Sequence, residues 1–184
     1  MSDETTQTVP GAVVIESARL RLRRLVLDDA GFMLELVNQP EWLRHIGDRK
    51  VYTIEDARNY LRDGPLAMYQ RHGFGLYAIE IRTGGAPIGI CGLLKRDTLP
   101  DVDIGYALLN THVGHGYALE AARACVELAR LQFRLPRLIA ITAPDNPRSA
   151  QLLTRLGMHS EGRFRHGDPA EELCLYGMAL TPAA

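Results

Sequence analysis

The chain has 184 residues, of which 46% are hydrophobic and 23% are charged, a composition typical of one globular domain and not of a disordered or fibrous chain. Its formal net charge of −1 argues against nucleic acid or an acidic membrane surface as a general partner. Three scattered cysteines without a CxxC pair argue against a disulfide framework and favour a reduced, cytoplasmic compartment.

The N-terminal stretch is polar and acidic, so it does not resemble a signal peptide. We expect residues 1–14 to form a flexible leader and residues 15–182 to form a single domain. No apolar run approaches the roughly 20 residues that span a bilayer, so the sequence predicts no membrane segment.

Hydrophobic periodicity predicts the element order β-α-α-β-β-β-α-β-α-β-β. The predicted strands lie at 18–23, 73–81, 86–94, 102–109, 137–143, 158–166 and 172–180, and the predicted helices lie at 30–37, from 54 to an interruption at Gly64-Pro65, at 116–133 and at 147–156. Residues 39–52 are expected to be irregular. A hairpin meander followed by strand–helix–strand crossovers predicts a mixed sheet covered by helices.

A glycine turn at residues 113–118 is the most informative motif, because it lies between the strand predicted at 102–109 and the long helix that follows. The unpaired N–H groups at the start of that helix point back into the turn, which makes a cradle for an anion such as phosphate. A dinucleotide-binding loop needs a third glycine where this chain has Leu119, and the G-x-x-x-x-G-K-[ST] phosphate loop is absent. A turn that only connects a strand to a helix is the alternative.

Three motifs in the right order and spacing resemble the GNAT superfamily of acyl-CoA N-acyltransferases, from about Leu20 to Leu180. The family's acyl-CoA signature, Q/R-x-x-G-x-G/A, corresponds to Val113, Gly114, His115, Gly116, Tyr117 and Ala118, with valine replacing Gln or Arg. Residues 103–106 resemble the family's E-I-G-Y strand, and residues 146–158 resemble its N-x-x-S…L-G-F segment. Within the superfamily the chain is similar to the RimJ and RimL type ribosomal-protein N-terminal acetyltransferases. In these proteins the turn often has the sequence W-G-x-G-Y-A-x-E-A.

The resemblance implies an α/β (α+β) fold with a mixed, mostly antiparallel central sheet of about seven strands, flanked by helices. It also implies that the sheet is splayed between its fourth and fifth strands, here the strands at 102–109 and 137–143. The implied reaction moves an acetyl group from acetyl-CoA, the co-substrate, to a primary amine by direct attack, without a metal. The acceptor would be a protein N-terminal amine or a small-molecule amine.

The resemblance also assigns the residues that would bind the acyl donor. Backbone N–H groups near Ala107–Leu108 would face the thioester carbonyl as oxyanion donors. Amides of Gly114 and of Gly116–Ala118 would bind the pyrophosphate, while His115 either adds positive charge or is an exposed loop histidine. Asn146 corresponds to a residue that commonly binds the pantetheine arm, and it also suits a helix N-cap.

Asp103 corresponds to the family's acidic strand position and is the predicted general base. The alternatives are an ordinary exposed carboxylate or a reaction without a dedicated base. Ser149 corresponds to a position near the CoA sulfur in RimL-like relatives and is the predicted acid, with helix capping as its alternative. Asp101 and His112 are second choices for the base.

The residues predicted to contact the acceptor amine are Trp42, His45 and Tyr106. As proton donors, Tyr106 and Tyr176 rank below Ser149, because buried tyrosines are more often core residues.

Two other classes of protein stay open at the level of sequence. One is a non-catalytic acyl-CoA-binding module that uses the same cradle for sensing or regulation. The other is a nucleotide-dependent oxidoreductase. His112 and His115 have metal-pair spacing, but a glycine loop with no third ligand argues against a metal site. A homodimer is compatible with the sequence.

Overall fold

The computed structural model describes residues 11–167 and 169–180, which contain one eight-stranded sheet with the strand order β1-β2-β3-β4-β5-β6-β8-β7. The strands are β1 (Val13–Glu16), β2 (Leu20–Arg24), β3 (Leu76–Ile81), β4 (Gly89–Leu94), β5 (Asp103–Leu108), β6 (Arg137–Thr142), β7 (His159–His166) and β8 (Glu171–Ala179). The helices are α1 (Ala30–Val37), α2 (Pro40–His45), α3 (Ile54–Leu61), α4 (Ala67–His72), α5 (Tyr117–Leu131) and α6 (Pro147–Leu156). None of the helices in these ranges has the length and apolar character needed to cross a membrane.

The sheet is antiparallel except between β5 and β6, which run parallel and separate after a single pairing. They pair where Asp103 lies opposite Ile139, and the Ile139 N–H donates to the Val102 carbonyl at 3.1 Å. Towards their carboxyl ends the two strands are no longer paired. The predicted mixed sheet, with a splay between the strands at 102–109 and 137–143, is therefore confirmed.

The sheet has one strand more than the roughly seven predicted, because β1 pairs with β2 along one edge. β1 begins at Val13, two residues before the predicted domain boundary, and Val14 and Ile15 pack against the core beneath α5. A four-residue edge strand carries too little periodicity to be recognised in the sequence. Residues 1–10 of the predicted leader and residues 181–182 of the predicted domain lie outside the described residues.

Helices cover both faces of the sheet, and alternate residues of β5 divide between them. Ile104, Tyr106 and Leu108 pack with the core beneath α5 and α6, on what we call the α5 face. Ala107 packs with the core beneath α1, α2 and α3, on what we call the α1 face. Asp103 belongs to the α1 face as well, because successive side chains alternate along a strand.

Most predicted helix boundaries are confirmed. α1 and α6 match their predicted ranges, and Gly157 ends α6 in the left-handed conformation at φ +96°. The Thr53 hydroxyl accepts from the Asp56 N–H at 3.1 Å, and the Asp56 carboxylate accepts from the Thr53 N–H at 2.9 Å, which makes a reciprocal capping box at the start of α3.

One expectation about the helical region is wrong. The segment 39–52 contains the helix α2, which Pro40 can begin because its fixed φ suits a first helical turn and its missing N–H is not needed there. The predicted interruption at Gly64-Pro65 is confirmed, and it takes the form of a π-helical turn at Arg62–Leu66 through which the chain continues into α4.

Candidate functional site

The splay between β5 and β6 opens at the carboxyl ends of both strands, and a helix begins just beyond each of them. α5 follows β5 through the glycine turn, and α6 follows β6. Ala107 and Leu108 lie in the part of β5 that is not paired with β6, as predicted for residues beside the cleft. The cleft therefore has strand edges as walls and the N-termini of two helices at its mouth, an arrangement that suits an extended ligand with an anionic group.

The glycine turn has the backbone conformation that an anion cradle needs. Gly114 and Gly116 have φ values of +90° and +80°, which L-residues with a side chain rarely adopt. Gly116 is the N-cap of α5, and the first intrahelical bond runs from the Glu120 N–H to the Gly116 carbonyl at 3.1 Å. The amides of Tyr117 and Ala118 precede that bond, so helix geometry leaves them free to bind a ligand.

An arginine outside the predicted site holds this turn in place. The Arg19 Nε donates to the Glu120 carboxylate at 2.7 Å, and its Nη1 donates to the His115 carbonyl at 3.0 Å. The same guanidinium lies 4.7 Å from the centre of the Tyr117 ring, and the Arg19 N–H also donates to Glu120. The Ser17 hydroxyl completes the arrangement by donating to Glu120 at 2.7 Å.

We call this set of residues the Arg19 clamp; it consists of Ser17, Arg19 and Glu120. Sequence reasoning matched Glu120 to the family motif but found no partner for it, because Arg19 is 101 positions away in the chain. The Glu120 carboxylate accepts hydrogen bonds from Ser17 and Arg19. These bonds hold the pKa of Glu120 below its ordinary value, although burial opposes the shift. The clamp therefore joins the β1–β2 turn to the start of α5.

Tyr106 and Ser149 meet on the α5 face and join β5 to α6. Their hydroxyl oxygens are 2.8 Å apart. The Asn146 side chain accepts from the Ser149 N–H at 3.1 Å, which confirms the N-cap role considered for Asn146. Burial raises the pKa of Tyr106 to about 12, and its bond to Ser149 opposes that rise. The two hydroxyls form a pair of neutral proton donors beside the cleft.

Asp103 lies at the narrow end of the cleft, on the opposite face from Tyr106. Asp103 is 1% exposed, so it is not the ordinary exposed carboxylate that was the alternative in the sequence analysis. Burial raises the pKa of Asp103 to about 6, although Arg96 and Lys95 lower it. The Arg96 Nε is 3.3 Å from Asp103 Oδ1, but this approach lacks hydrogen-bond geometry, so Oδ1 accepts no hydrogen bond from the described residues.

The helix α2 bridges the two walls of the cleft. The Asn110 N–H, after β5, donates to the Gln39 side chain at 3.2 Å, and Arg44 Nη2 donates to Asp145, after β6, at 3.2 Å. The His45 ring lies within 3.5 Å of Asp145 and within 3.4 Å of Glu41.

The residues predicted to contact the acceptor are not brought together as one group. Trp42 is 5% exposed in the core of the α1 face, whereas the Tyr106 side chain packs on the α5 face. His45 bridges α2 to the segment after β6 instead of packing beside Tyr106. The sheet separates these residues because alternate strand residues point to opposite faces, a property that spacing in the sequence does not reveal.

The remaining predicted residues have simpler surroundings. His115 is exposed and stacks on Tyr117, with ring centres 5.6 Å apart, and Val113 is also exposed. Asp101, a second choice for the base, forms an ion pair with Arg137 at 3.1 Å. Among residues 11–167 and 169–180 there is no group of three or more His, Cys, Asp or Glu side chains arranged to hold a metal ion.

An open sheet split between two parallel strands, with a glycine turn and a helix N-terminus at the mouth of the split, is the architecture that the motifs predicted. The family model described as the acetyltransferase (GNAT) domain matches residues 19–159. The chain therefore belongs to the GNAT acetyltransferase family and is an N-acetyltransferase.

Proteins of similar sequence or fold support this assignment, and the similarity extends over most of each chain. The chain is 26% identical over 155 residues to the uncharacterized N-acetyltransferase p20 of Bacillus licheniformis, covering 83% of this chain and 86% of that protein. The acetyltransferase from Agrobacterium tumefaciens str. C58 has a TM-score of 0.76 and 26% identity, over 89% of this chain and 92% of its own. RimL, a ribosomal L7/L12 alpha-N-protein acetyltransferase solved with coenzyme A, shares the fold with a TM-score of 0.77 and 19% identity, over 92% and 98% of the two chains.

Proposed function

We propose that this N-acetyltransferase transfers the acetyl group of acetyl-CoA to a primary amine, and that the amine attacks the thioester directly. The observation that carries the proposal is the cleft between β5 and β6, which opens onto the free amides at the start of α5. RimL, which has the same fold, was solved with coenzyme A. Membership of an enzyme family favours this reading over a sensor module or a nucleotide-dependent oxidoreductase.

The donor would enter the cleft from the α5 face. Amides of Gly114 and of Gly116–Ala118 would bind the pyrophosphate, supported by the positive end of the α5 dipole. The pantetheine arm would follow β5, with Asn146 beside it, and the thioester carbonyl would accept from a backbone N–H near Ala107–Leu108. Cys125 on α5 is fully buried, which fits direct attack without an acyl-enzyme.

The proton transfers would take place on opposite faces of the sheet. As the amine nitrogen bonds to the carbonyl carbon, the amine loses a proton towards Asp103, through water where the buried carboxylate is out of direct reach. The C–S bond then breaks, and the departing thiolate takes a proton from the Ser149–Tyr106 pair on the α5 face, which regains a proton from solvent. A carboxyl with a pKa of about 6 is ionised at neutral pH and is well suited to accept a proton there.

The acceptor would approach from the α1 face, where α2 crosses the mouth of the cleft. Trp42 and His45 remain proposed contacts to the acceptor, through α2, and Tyr106 is proposed to act with Ser149. We propose that the reaction takes place in the cytoplasm, where acetyl-CoA and free thiols are found together.

The proposal is tested by thiol release from acetyl-CoA in the presence of a panel of primary amines, together with calorimetric titration of CoA, NAD and ATP. We expect saturable, amine-dependent thiol release and binding of CoA alone among the three. Absence of CoA binding would exclude the proposed donor. Binding of CoA without thiol release for any amine or N-terminal peptide would restore the sensor alternative.

A further inference from the structure

The acceptor amine must release two protons, and Asp103 is the proposed acceptor of only one of them. At neutral pH an alkyl amine, with a pKa of about 10.4, is an ammonium ion without the lone pair that attacks the thioester. Its nitrogen therefore loses one proton before the attack and another as the new bond to carbon forms. The first of these protons needs an acceptor where the amine enters the cleft.

The helix α2 lies at this entrance, whereas Asp103 lies farther inside. Asp103 precedes Ala107 by four residues, which is about 13 Å along an extended strand. At the mouth of the cleft, α2 is bonded to Asn110 after β5 at one end and to Asp145 after β6 at the other. Trp42 of α2 and Ala107 belong to the same hydrophobic cluster, so α2 shares a core with the unpaired end of β5.

His45, the last residue of α2, lies between two carboxylates. Its Nε2 is 3.4 Å from Glu41 Oε2, and its Nδ1 is 3.5 Å from Asp145 Oδ1. The His45 side chain is 9% exposed, and Nδ1 is buried without a hydrogen-bond partner among the described residues. When this imidazole takes a proton, each of its two N–H groups faces a carboxylate, so the surroundings suit the charged product of a proton transfer.

The unpartnered Nδ1 of His45 is the atom suited to accept that proton. Glu41 at Nε2 favours the tautomer with its hydrogen there, because the contact at one ring nitrogen determines the state of the other. Nδ1 then has a free lone pair and faces an Asp145 oxygen, which is also an acceptor. An ammonium ion has three N–H donors and can donate to both atoms. The Asp145 side chain is 60% exposed, so it can turn towards solvent as the amine arrives.

The other charged groups on the elements around His45 leave this arrangement intact. Arg44, on the same helix, donates to Asp145 Oδ2, which leaves Oδ1 for the substrate. The helix α1 packs against α2, and its single charged residue, Glu35, is exposed. In the described part of the chain the ion-pair contacts of His45 are those with Glu41 and Asp145.

We propose that His45 accepts the first proton of the acceptor ammonium at Nδ1, while Asp145 holds the ammonium there and Glu41 positions the ring. An N–H bond of the ammonium breaks as the Nδ1–H bond forms, which leaves a neutral amine for the attack on the thioester. The imidazolium then returns its proton to solvent past the exposed Asp145 side chain. Asp103 takes the second proton during the attack. The inference rests on the proposed acetyl transfer and adds a catalytic residue to it.

The test follows kcat/KM for thiol release between pH 7 and pH 10, with propylamine and with the most active amine of the panel. The wild type should give a nearly level profile above pH 8, because His45 lets the enzyme use the ammonium form. His45→Gln can use only the neutral amine. With propylamine we expect its kcat/KM to be about 100-fold or more lower at pH 7.5, with the deficit shrinking by about tenfold per pH unit. For either amine the deficit should disappear near the pKa of the amine itself.

Matched variants separate this proton transfer from a structural role. His72→Gln removes a histidine that stacks on Phe74, at the opposite end of α5 from the glycine turn, and should keep the wild-type rate and profile. Glu41→Gln should lower kcat/KM by about twofold to fivefold, as for an exposed ion pair, and should add nothing in the His45→Gln background. A Tm within about 2 °C of wild type and unchanged CoA affinity would show that the fold and the donor site are intact.

The outcomes separate the two proposals. A His45→Gln deficit that is absent, or that is the same at every pH, would overturn proton transfer to His45 and leave acetyl transfer standing. A wild-type profile that itself rises by about tenfold per pH unit up to the pKa of the amine would do so without any variant. CoA binding without thiol release for any amine would overturn both.

Discussion

Around the cleft, the polar groups on the two faces of the sheet differ in whether they have hydrogen-bond partners. On the α5 face, the groups near the glycine turn and α6 bond to one another, as in the Arg19 clamp and the Tyr106–Ser149 pair. On the α1 face, Asp103 Oδ1 and the Trp42 Nε1 are buried without a hydrogen-bond partner among the described residues. The groups at the glycine turn and α6 are thus preorganised by their own contacts, whereas the two groups on the α1 face, and the Tyr77 hydroxyl elsewhere on the α5 face, are buried without a partner at a cost in free energy.

This difference suits a transferase with one donor and a selective acceptor site. A donor that is always the same molecule can be bound by backbone amides, whose position the fold determines. An acceptor site needs side chains that a ligand can satisfy, because a missing partner for a buried polar group is what rejects the wrong ligand. The following substitutions test the two faces, from the largest expected effect to the smallest.

Asp103→Asn tests the α1 face and should lower kcat/KM by about 10²–10⁴-fold at pH 8, because it removes the proposed base. It should also stabilise the protein. Burial raises the pKa of this carboxyl from 3.8 to about 6, so the folded state binds more protons than the unfolded state between those values. The free energy of unfolding therefore falls as the pH rises through that range and stays lower above it.

The asparagine variant lacks this penalty and should gain about 2–3 kcal/mol at pH 8, or about 5 °C or more in Tm. The gain should shrink towards pH 4, where the wild-type carboxyl is protonated in the folded protein and, close to its ordinary pKa of 3.8, partly protonated in the unfolded chain. Thermal melts at both pH values measure this, with thiol release at pH 8. Full activity at pH 8, or a stability gain that does not depend on pH, would exclude the buried base.

Gly116→Val tests the cradle on the α5 face. A β-branched residue at φ +80° is strained, so the backbone of the turn should leave this conformation and shift the amides that it presents. Loss of about two charge-assisted hydrogen bonds should weaken CoA binding by on the order of 100-fold. Calorimetric titration with CoA measures this, and Gly84→Val, at φ +109° in the β3–β4 turn, is a matched control. Unchanged CoA affinity in Gly116→Val would show that the glycine turn does not bind the donor.

The Tyr106–Ser149 pair should contribute to the chemical step. Ser149→Ala and Tyr106→Phe each remove one hydroxyl, and we expect each to lower kcat by about tenfold to 100-fold, up to the lower limit of general acid catalysis, because the other hydroxyl remains. If the hydroxyls act together, the double variant should be little worse than the worse single variant. Steady-state kinetics with saturating acetyl-CoA measure kcat. Fully additive effects would show that the two groups act independently.

Removing the Arg19 clamp should have the smallest effect. Arg19→Gln should raise the KM for acetyl-CoA by about threefold to tenfold with little change in kcat, because half-exposed ion pairs contribute about 1 kcal/mol. Glu120→Gln should behave similarly, and the double variant should add little if the two residues act only through each other. Arg71→Gln, which removes an exposed arginine on α4 away from the clamp, is the control. A fall in kcat at unchanged KM would place Arg19 in the chemistry instead.

Much of the fold follows from local patterns. α6 could be delimited because Asn146 caps its start and Gly157 ends it within a few residues, and α1 could be delimited from its apolar spacing. β1 and α2 could not, because each is four to six residues long and is stabilised by partners elsewhere in the chain. The interruption at Gly64-Pro65 could be predicted from these two residues, but its form as a π-helical turn at Arg62–Leu66, followed by α4, could not.

The sequence by itself determined the backbone of the proposed donor side: two glycines, a helix start and a strand before them specify the conformation of the turn, which is a local property. Only the tertiary structure decided which polar groups meet. It joined Arg19 to Glu120 across 101 positions, placed Tyr106 beside Ser149, and buried Asp103 on the opposite face. Burial and partner choice arise from packing between distant segments, and they determine the pKa values and contacts on which the chemistry depends.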